Sequence, residues 1–395
     1  MKIIHLVNYF QHQLGYQEFY IAKEQARQGH EVLVLTSNRY FPFYDYQNTV
    51  QNILGPRIFK AGRKNINGFT IEYLPALFEQ PGRRVWLKGL RKRIKSFKPD
   101  LIHVHGEYTL LSLQSVLWKK RLKYRLVIDS HSHPRKLGPD KSGLFLFLKK
   151  IMSFLVVRIY KKFIFDRKDI KWVATTEWNK KYLVERFAFS SEDLILLPNG
   201  ADTEVFYPDK RVRSQKRKEL NLDENDVVIL YTGMISENKG LDKIIQASKD
   251  FAKELHLKYV FVGGIEKKFH KNFIELIKGI EDLVVLSDAT FNKDLPAFYQ
   301  MADIACWPME SSLSAVDAMA AELPIIICNK LSERLKNDNG IGIEEGNVQQ
   351  LRDALYKLAS DHALRTAMGK RGLELVKKEL NWTRISQRFI EIAFS

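Results

Sequence analysis

Short apolar runs alternate along this chain with stretches of helical spacing, and the alternation starts twice. Residues 3–7 read as a buried strand, and a loop with Gly15 follows. Residues 18–28 have the spacing of a helix closed by Gly29 and His30, and 31–36 form the next strand. Strands at 101–104, 126–129 and 171–175 continue this series. The second series has strands at 227–231, 258–262, 283–286, 304–307 and 324–328, with helices from about residues 241 and 271. Strands joined through helical crossovers pair in parallel, so the pattern predicts an α/β chain with two parallel sheets. A length of 395 residues also exceeds what one core usually serves. The polar, basic stretch 209–219 between the series reads as the linker. Sheets of this kind bind ligands beyond the carboxyl ends of their strands, which places a site in the cleft between two domains.

Charge narrows the partner. Lys and Arg number 63 against 46 Asp and Glu, a net +17, which favours an anionic ligand or surface. Basic residues are not interleaved with any nucleic-acid reader module, so no nucleic acid is expected. No GxGxxG follows a strand, which argues against a dinucleotide-dependent oxidoreductase. Cys306 and Cys328, the two cysteines, lie in apolar strand-like runs and read as buried thiols of a reducing compartment. No cysteine or histidine spacing fits zinc, and no acidic pair reads as a metal site; residues 223–226 read as a turn. The first residues are too short and mixed for a signal peptide, and no apolar run reaches the ~18 residues of a membrane span. The expectation is a cytoplasmic protein, with peripheral contact at the inner face of a membrane.

The second half carries a set of ordered motifs. Gly233-Met234-Ile235-Ser236-Glu237-Asn238-Lys239-Gly240 follows a strand and opens a helix. Pro198-Asn199-Gly200-Ala201-Asp202 precedes it. Asp294-Leu295-Pro296 and Ala302-Asp303 lead to Trp307-Pro308, and Glu310-Ser311-Ser312-Leu313-Ser314-Ala315-Val316-Asp317 follows. Taken in this order, with Gly15, Gly29-His30 and Trp382 at the two ends, they resemble the family 4 glycosyltransferases of the GT-B fold. The resemblance implies two Rossmann-like domains facing a central cleft. The first, residues 1–200, is on the acceptor side, and the second, 201–377, binds a nucleotide sugar. It further implies sugar transfer with retention of configuration to a glycan or lipid-linked acceptor, as in cell-surface polysaccharide or glycolipid assembly. Neither a cofactor nor a metal is implied.

The chemistry of the residues agrees. Lys239, just after a strand, offers a compact charge to a phosphate; as an unpaired lysine at a helix start it would oppose the helix dipole. Ser312, Leu313 and Ser314 open a helix whose free amides suit an anion, although serines there also serve as simple caps. Asp317, one turn on, can accept from a ribose diol; the family has Glu at that place. Glu310 resembles the first carboxylate of the family's paired acids, with six intervening residues where the family has seven. Gly15 and Gly233 let backbone approach a ligand closely. His131, past the strand at 126–129, resembles the family's histidine beside the donor sugar. His103 and His105 are given no chemistry, and one of them is read as core. Met234 stands where the family has Arg. That departure keeps alternatives open: a catalytically silent GT-B partner subunit, or a GT-B epimerase.

Two segments of the first half combine basic and apolar residues. In 83–98, Leu87, Leu90, Ile94 and Phe97 fall on one helical face beneath an outward basic face; 144–165 is richer still in apolar residues. Either a solvated basic edge or an anionic membrane surface accounts for them. The terminal stretch, 378–395, places Trp382, Ile385, Phe389 and Ile392 on one stripe, which predicts a helix that crosses back onto the first domain.

Overall fold

The computed structural model describes residues 1–43, 45–80, 84–130, 167–290, 294–309 and 314–395. Two sheets organise them. The first runs, in spatial order, Leu194–Leu196, Lys171–Ala174, Arg125–Ser130, Leu101–His105, Lys2–Leu6, Glu31–Ser37, Phe69–Leu74 and Gly62–Ile66. All neighbours in it are parallel except the last pair. The second runs Val284–Ser287, Leu257–Val262, Val227–Thr232, Ile304–Trp307, Ile325–Cys328 and Gly340–Ile343, parallel throughout. Helices cover both faces of these strands, which is why Val227–Thr232 is buried at every position and reads as a continuous apolar run.

The segment read as linker is a helix. Lys210–Glu219 is capped by Asp209, whose side chain accepts from the Arg211 and Val212 amides, and it packs on the helix Pro296–Met301. Its basic residues are partly internal. Arg217 is buried, donates to the carbonyls of Met301, Asp223 and Asp226, and pairs with Asp303. Arg213 meets the other oxygen of Asp303 at 2.8 Å. A run of charge looks solvated in sequence because the acid that meets it lies far along the chain. In the 83–98 segment, the helix begins only at Leu90; Leu87 belongs to a strand, Arg84–Leu87, and Gly89 makes the left-handed turn between them. Leu90 and Ile94 are buried and Arg91, Lys92 and Lys95 are exposed. The strand Gly340–Ile343 carries two glycines, which weakens its signal. Neither has room for more: a Cβ at Gly340 would lie 2.4 Å from the Ile325 carbonyl oxygen.

The terminal helix Trp382–Phe394 packs on Gln17–Arg27 of the first sheet's layer. Trp382 stacks on Tyr20 at 5.2 Å, Phe389 lies over His103 at 4.2 Å, and Ser386 bonds Gln28. Asn381 caps it, and Ala201 and Leu380–Trp382 exchange backbone bonds where the two chain crossings meet. Phe389 is fully buried in the core cluster of the first sheet. Phe389→Ala is expected to cost about 3–4 kcal/mol, the transfer loss plus the cavity left behind. Urea unfolding measures it; a loss under about 1 kcal/mol would show that this contact contributes little.

Candidate functional site

The site is built on the carboxyl edge of the second sheet. Val227–Thr232 ends at Gly233, whose φ of 135° suits only glycine. The loop after it is held from both sides. The Tyr231 hydroxyl donates to the Met234 carbonyl at 3.0 Å, and Ile235 pairs with the Gly264–Glu266 backbone. Gly240 closes the short turn Glu237–Lys239 and opens the helix Leu241–Ser248. A Cβ on Gly240 would stand 2.6 Å from Met309 Cγ, so the loop bearing Lys239 sits directly on the loop that leads to Glu310. Lys239 is half-buried there.

A buried hydrogen-bond chain joins this loop to the helix Ser314–Ala320. Trp307 Nε1 donates to the Thr232 carbonyl at 3.0 Å, and the Thr232 and Tyr299 hydroxyls lie 2.7 Å apart. Tyr299 also bonds Ser314, and burial raises the Tyr299 hydroxyl far above its ordinary pKa, keeping it neutral. Gly233, Lys239, Ser314 and Asp317 thus belong to one connected corner. Gly15 belongs to the first sheet's layer, buried in the left-handed turn between Lys2–Leu6 and Gln17–Arg27. His131, Glu310, Ser312 and Leu313 lie outside the described residues, as does the segment 144–165.

Asp317 has charged neighbours that its sequence context does not reveal. Burial and then the nearby Asp202 push its carboxyl well above the usual range, and Arg334 works in the opposite direction. Asp202 is itself paired with Lys23 of the helix Gln17–Arg27 at 2.5 Å. Arg334 is buried and its guanidinium is depressed by that burial. A carboxyl raised in the folded state binds more protons folded than unfolded, so stability falls as pH climbs above the ordinary carboxylate range. Asp317→Asn removes that cost. The variant is expected to be more stable than the parent near neutral pH, by on the order of 1 kcal/mol, and to lose the advantage in acid. Equal melting temperatures across the pH range would contradict this account of Asp317.

On the first sheet, His103 and His105 are both buried, side by side on one face of their strand, so the reading that only one is internal is corrected. Each meets Asp129 Oδ2 at 2.8 Å, while His5 bridges His105 at 3.1 Å and Gln25 at 2.8 Å. Burial and the two neighbouring imidazoles hold His5 neutral. Among the described residues this is the histidine group whose ligand atoms come within 4.8 Å of one another. Their contacts with Asp129, Gln25 and one another make it a hydrogen-bonded block under the strand end that leads to residue 131. Cys306 and Cys328 are buried free thiols. Two cavities, of about 340 and 570 Å³, lie elsewhere, one against Arg125 and Lys171 and one against Tyr207 and Pro296.

Sequence reasoning missed Lys23, Asp202 as an ionic partner, Tyr299 and Arg334. Asp202 was on view within a motif, and Tyr299 stands three residues past Asp294-Leu295-Pro296; Lys23 and Arg334 carry no local signal, because their partners are distant in the chain.

Two parallel α/β sheets in tandem give the chain the GT-B fold. The solved structure of Anabaena Alr3699/HepE in complex with UDP and glucose shares this fold, with a TM-score of 0.71 at 15% identity over all of both chains. Two family models match, Glycosyltransferase Family 4 over residues 19–205 and Glycosyl transferases group 1 over residues 212–375. The chain belongs to the family 4 glycosyltransferases. It is 26% identical over 240 residues to a D-inositol 3-phosphate glycosyltransferase of Corynebacterium aurimucosum, covering 55% of each chain. It is 25% identical over 233 residues to a GDP-mannose-dependent alpha-(1-6)-phosphatidylinositol monomannoside mannosyltransferase of Mycobacterium tuberculosis, covering 53% of this chain and 59% of the relative. These matches span little more than half the length of those relatives.

Proposed function

We propose that this protein transfers a sugar from a nucleotide-sugar donor, with retention of configuration, to a glycan or lipid-linked glycan during cell-surface polysaccharide or glycolipid assembly. The observation that carries the reading is the bonded corner at the carboxyl edge of the second sheet, where the Lys239 loop and the Ser314–Ala320 helix meet through Thr232 and Tyr299. Lys239 faces the diphosphate as a point charge. Ser312, Leu313 and Ser314 are assigned, from the resemblance, as donors to the charge that develops on the leaving group. Asp317 is assigned to the ribose, and the resemblance assigns Glu310 to the sugar and His131 to the reacting step. Gly15 and Gly233 give the donor close backbone approach. No metal is required in this scheme. The acceptor docks on the first domain, at the cytoplasmic face of an anionic membrane; a phosphatidylinositol-linked acceptor in a relative's name and the +17 charge support this part.

A thermal-shift screen with nucleoside diphosphates and nucleotide sugars tests the donor. A true donor at a hundred times its Kd is expected to stabilise the protein by about 2.7 kcal/mol, and unreactive nucleosides much less. No shift with any nucleotide would overturn the reading. Donor binding with no transfer to any acceptor would move the chain to a silent partner subunit, consistent with Met234 at the family's Arg position; product NMR that shows an inverted anomer would overturn retention.

A further inference from the structure

Beside the first sheet lies a separate two-stranded antiparallel sheet, Ala76–Gln80 with Arg84–Leu87. Its two faces differ sharply. Inward, Val85 and Leu87 join one core cluster with Leu90 and Ile94 of the helix Leu90–Phe97 and with Leu111 and Val116 of the helix Leu110–Leu122. Glu79 anchors the sheet from the same side, meeting Arg39 at 2.5 Å, Arg57 at 2.8 Å and the Tyr9 hydroxyl at 2.8 Å. These contacts hold the Glu79 carboxyl down at about 2.

Outward, the sheet is apolar. Phe78 and Trp86 are cross-strand partners, 55% and 46% exposed, and Leu77 at the bulge beside them is 63% exposed. Leu117, on the neighbouring helix, is 61% exposed. Leu77, Phe78 and Trp86 thus stand together on the outward side of one short hairpin, which scattered single exposed residues do not account for. The rim is basic. Lys88, Arg91, Lys92 and Lys95 follow the sheet, and Lys120, Arg121 and Lys123 close the helix that carries Leu117; all seven are exposed. Residues 80–99 and 110–126 contain no acid. Among the described residues none of the seven has an ion-pair partner, whereas Arg93, on the same helix, is tied to Glu72 at 2.6 Å.

We propose that this face is the element by which the protein enters an anionic bilayer, with Leu77, Phe78 and Trp86 passing into the headgroup and acyl boundary and the basic rim meeting lipid phosphates. The occupant is set by charge complementarity: an apolar face flanked along the chain by exposed cations and by no acid fits an anionic interface, where tryptophan and lysine partition together. The inference deepens the acceptor part of the proposed function and names the insertion surface.

Co-sedimentation with phosphatidylcholine vesicles, with and without phosphatidylglycerol, at low and high salt, tests it. The parent is expected to bind the anionic vesicles, more weakly as salt rises. Phe78→Ser with Trp86→Ser should lower that affinity roughly a hundredfold, since each lost side chain is worth about tenfold at partial depth. Lys92→Glu with Lys95→Glu should lower it at least twenty-five-fold, roughly fivefold per lost charge, and flatten the salt dependence. Trp86 fluorescence, taken as the difference between the parent and Trp86→Phe, should shift to the blue on binding. Matching melting temperatures and nucleoside-diphosphate affinities in solution show that the variants are folded. Unchanged vesicle affinity in the Phe78/Trp86 variant would overturn the proposal, as would a concentration-dependent dimer in solution that the same variant abolishes. Failure of donor binding with vesicle insertion intact would instead sink the transferase reading and leave this surface standing.

Discussion

Arg217→Met is expected to destabilise the protein by about 3 kcal/mol, the largest single loss outside the apolar core. The guanidinium is buried and gathers five groups: the carbonyls of Met301, Asp223, Glu224 and Asp226, and the Asp303 carboxylate. Methionine fills much of the same volume but donates nothing, so the carbonyls lose their partner in a site closed to water. Asp303 is not left unpaired, because Arg213 and the Val228 amide also bind it. That is why the expected cost stays at the lower end for breaking a buried ion pair. The same Asp303 precedes the strand Ile304–Trp307, so the network fixes where that strand starts and, through Trp307, where Thr232 sits. Equilibrium urea unfolding reads the effect; a change below about 1 kcal/mol would show that water replaces the arginine freely.

Lys239→Ala is expected to raise the Kd for the nucleotide donor by about ten- to a hundredfold, the worth of one charge-assisted contact to a phosphate. The backbone of the loop that presents the lysine is held by the Tyr231–Met234 bond, the Ile235 pairing and the seat of Gly240 on Met309. Alanine should therefore leave the melting temperature of the free protein nearly unchanged. Met234 makes the expected effect larger than it would be with a second cation at the family's Arg position. Titration calorimetry on parent and variant measures it, and an equal Kd would remove Lys239 from the donor site.

Fold and site were legible in the sequence to different degrees. Strands with an unbroken apolar run, as in Val227–Thr232 and Ile325–Cys328, announced themselves because burial on both faces demands one, whereas the buried strand Phe69–Leu74 went unread because Glu72, which Arg63 and Arg93 meet, breaks its run. Gly62–Ile66 gave no such signal, since it is an edge strand with exposed positions, and Gly340–Ile343 gave little because tight packing there requires glycine. Lys210–Glu219 read as linker because the acid that receives Arg213 and Arg217 is some ninety residues away. The glycine loop and the helix at Ser314 were visible as motifs, whereas the charge cluster of Lys23, Asp202, Asp317 and Arg334 was not. Local composition shows an acid or a base, but only the fold shows which ones share a low-dielectric corner.

The central claim is that the corner between the Lys239 loop and the Ser314–Ala320 helix holds a nucleotide-sugar donor. Titration of a nucleoside diphosphate series into the parent, Lys239→Ala and Asp317→Asn tests it most directly. Saturable binding of one nucleotide class to the parent is expected, weakened in both variants, although Asp317→Asn should melt higher than the parent near neutral pH. Binding of equal strength in all three proteins, or no binding to the parent, would contradict the account.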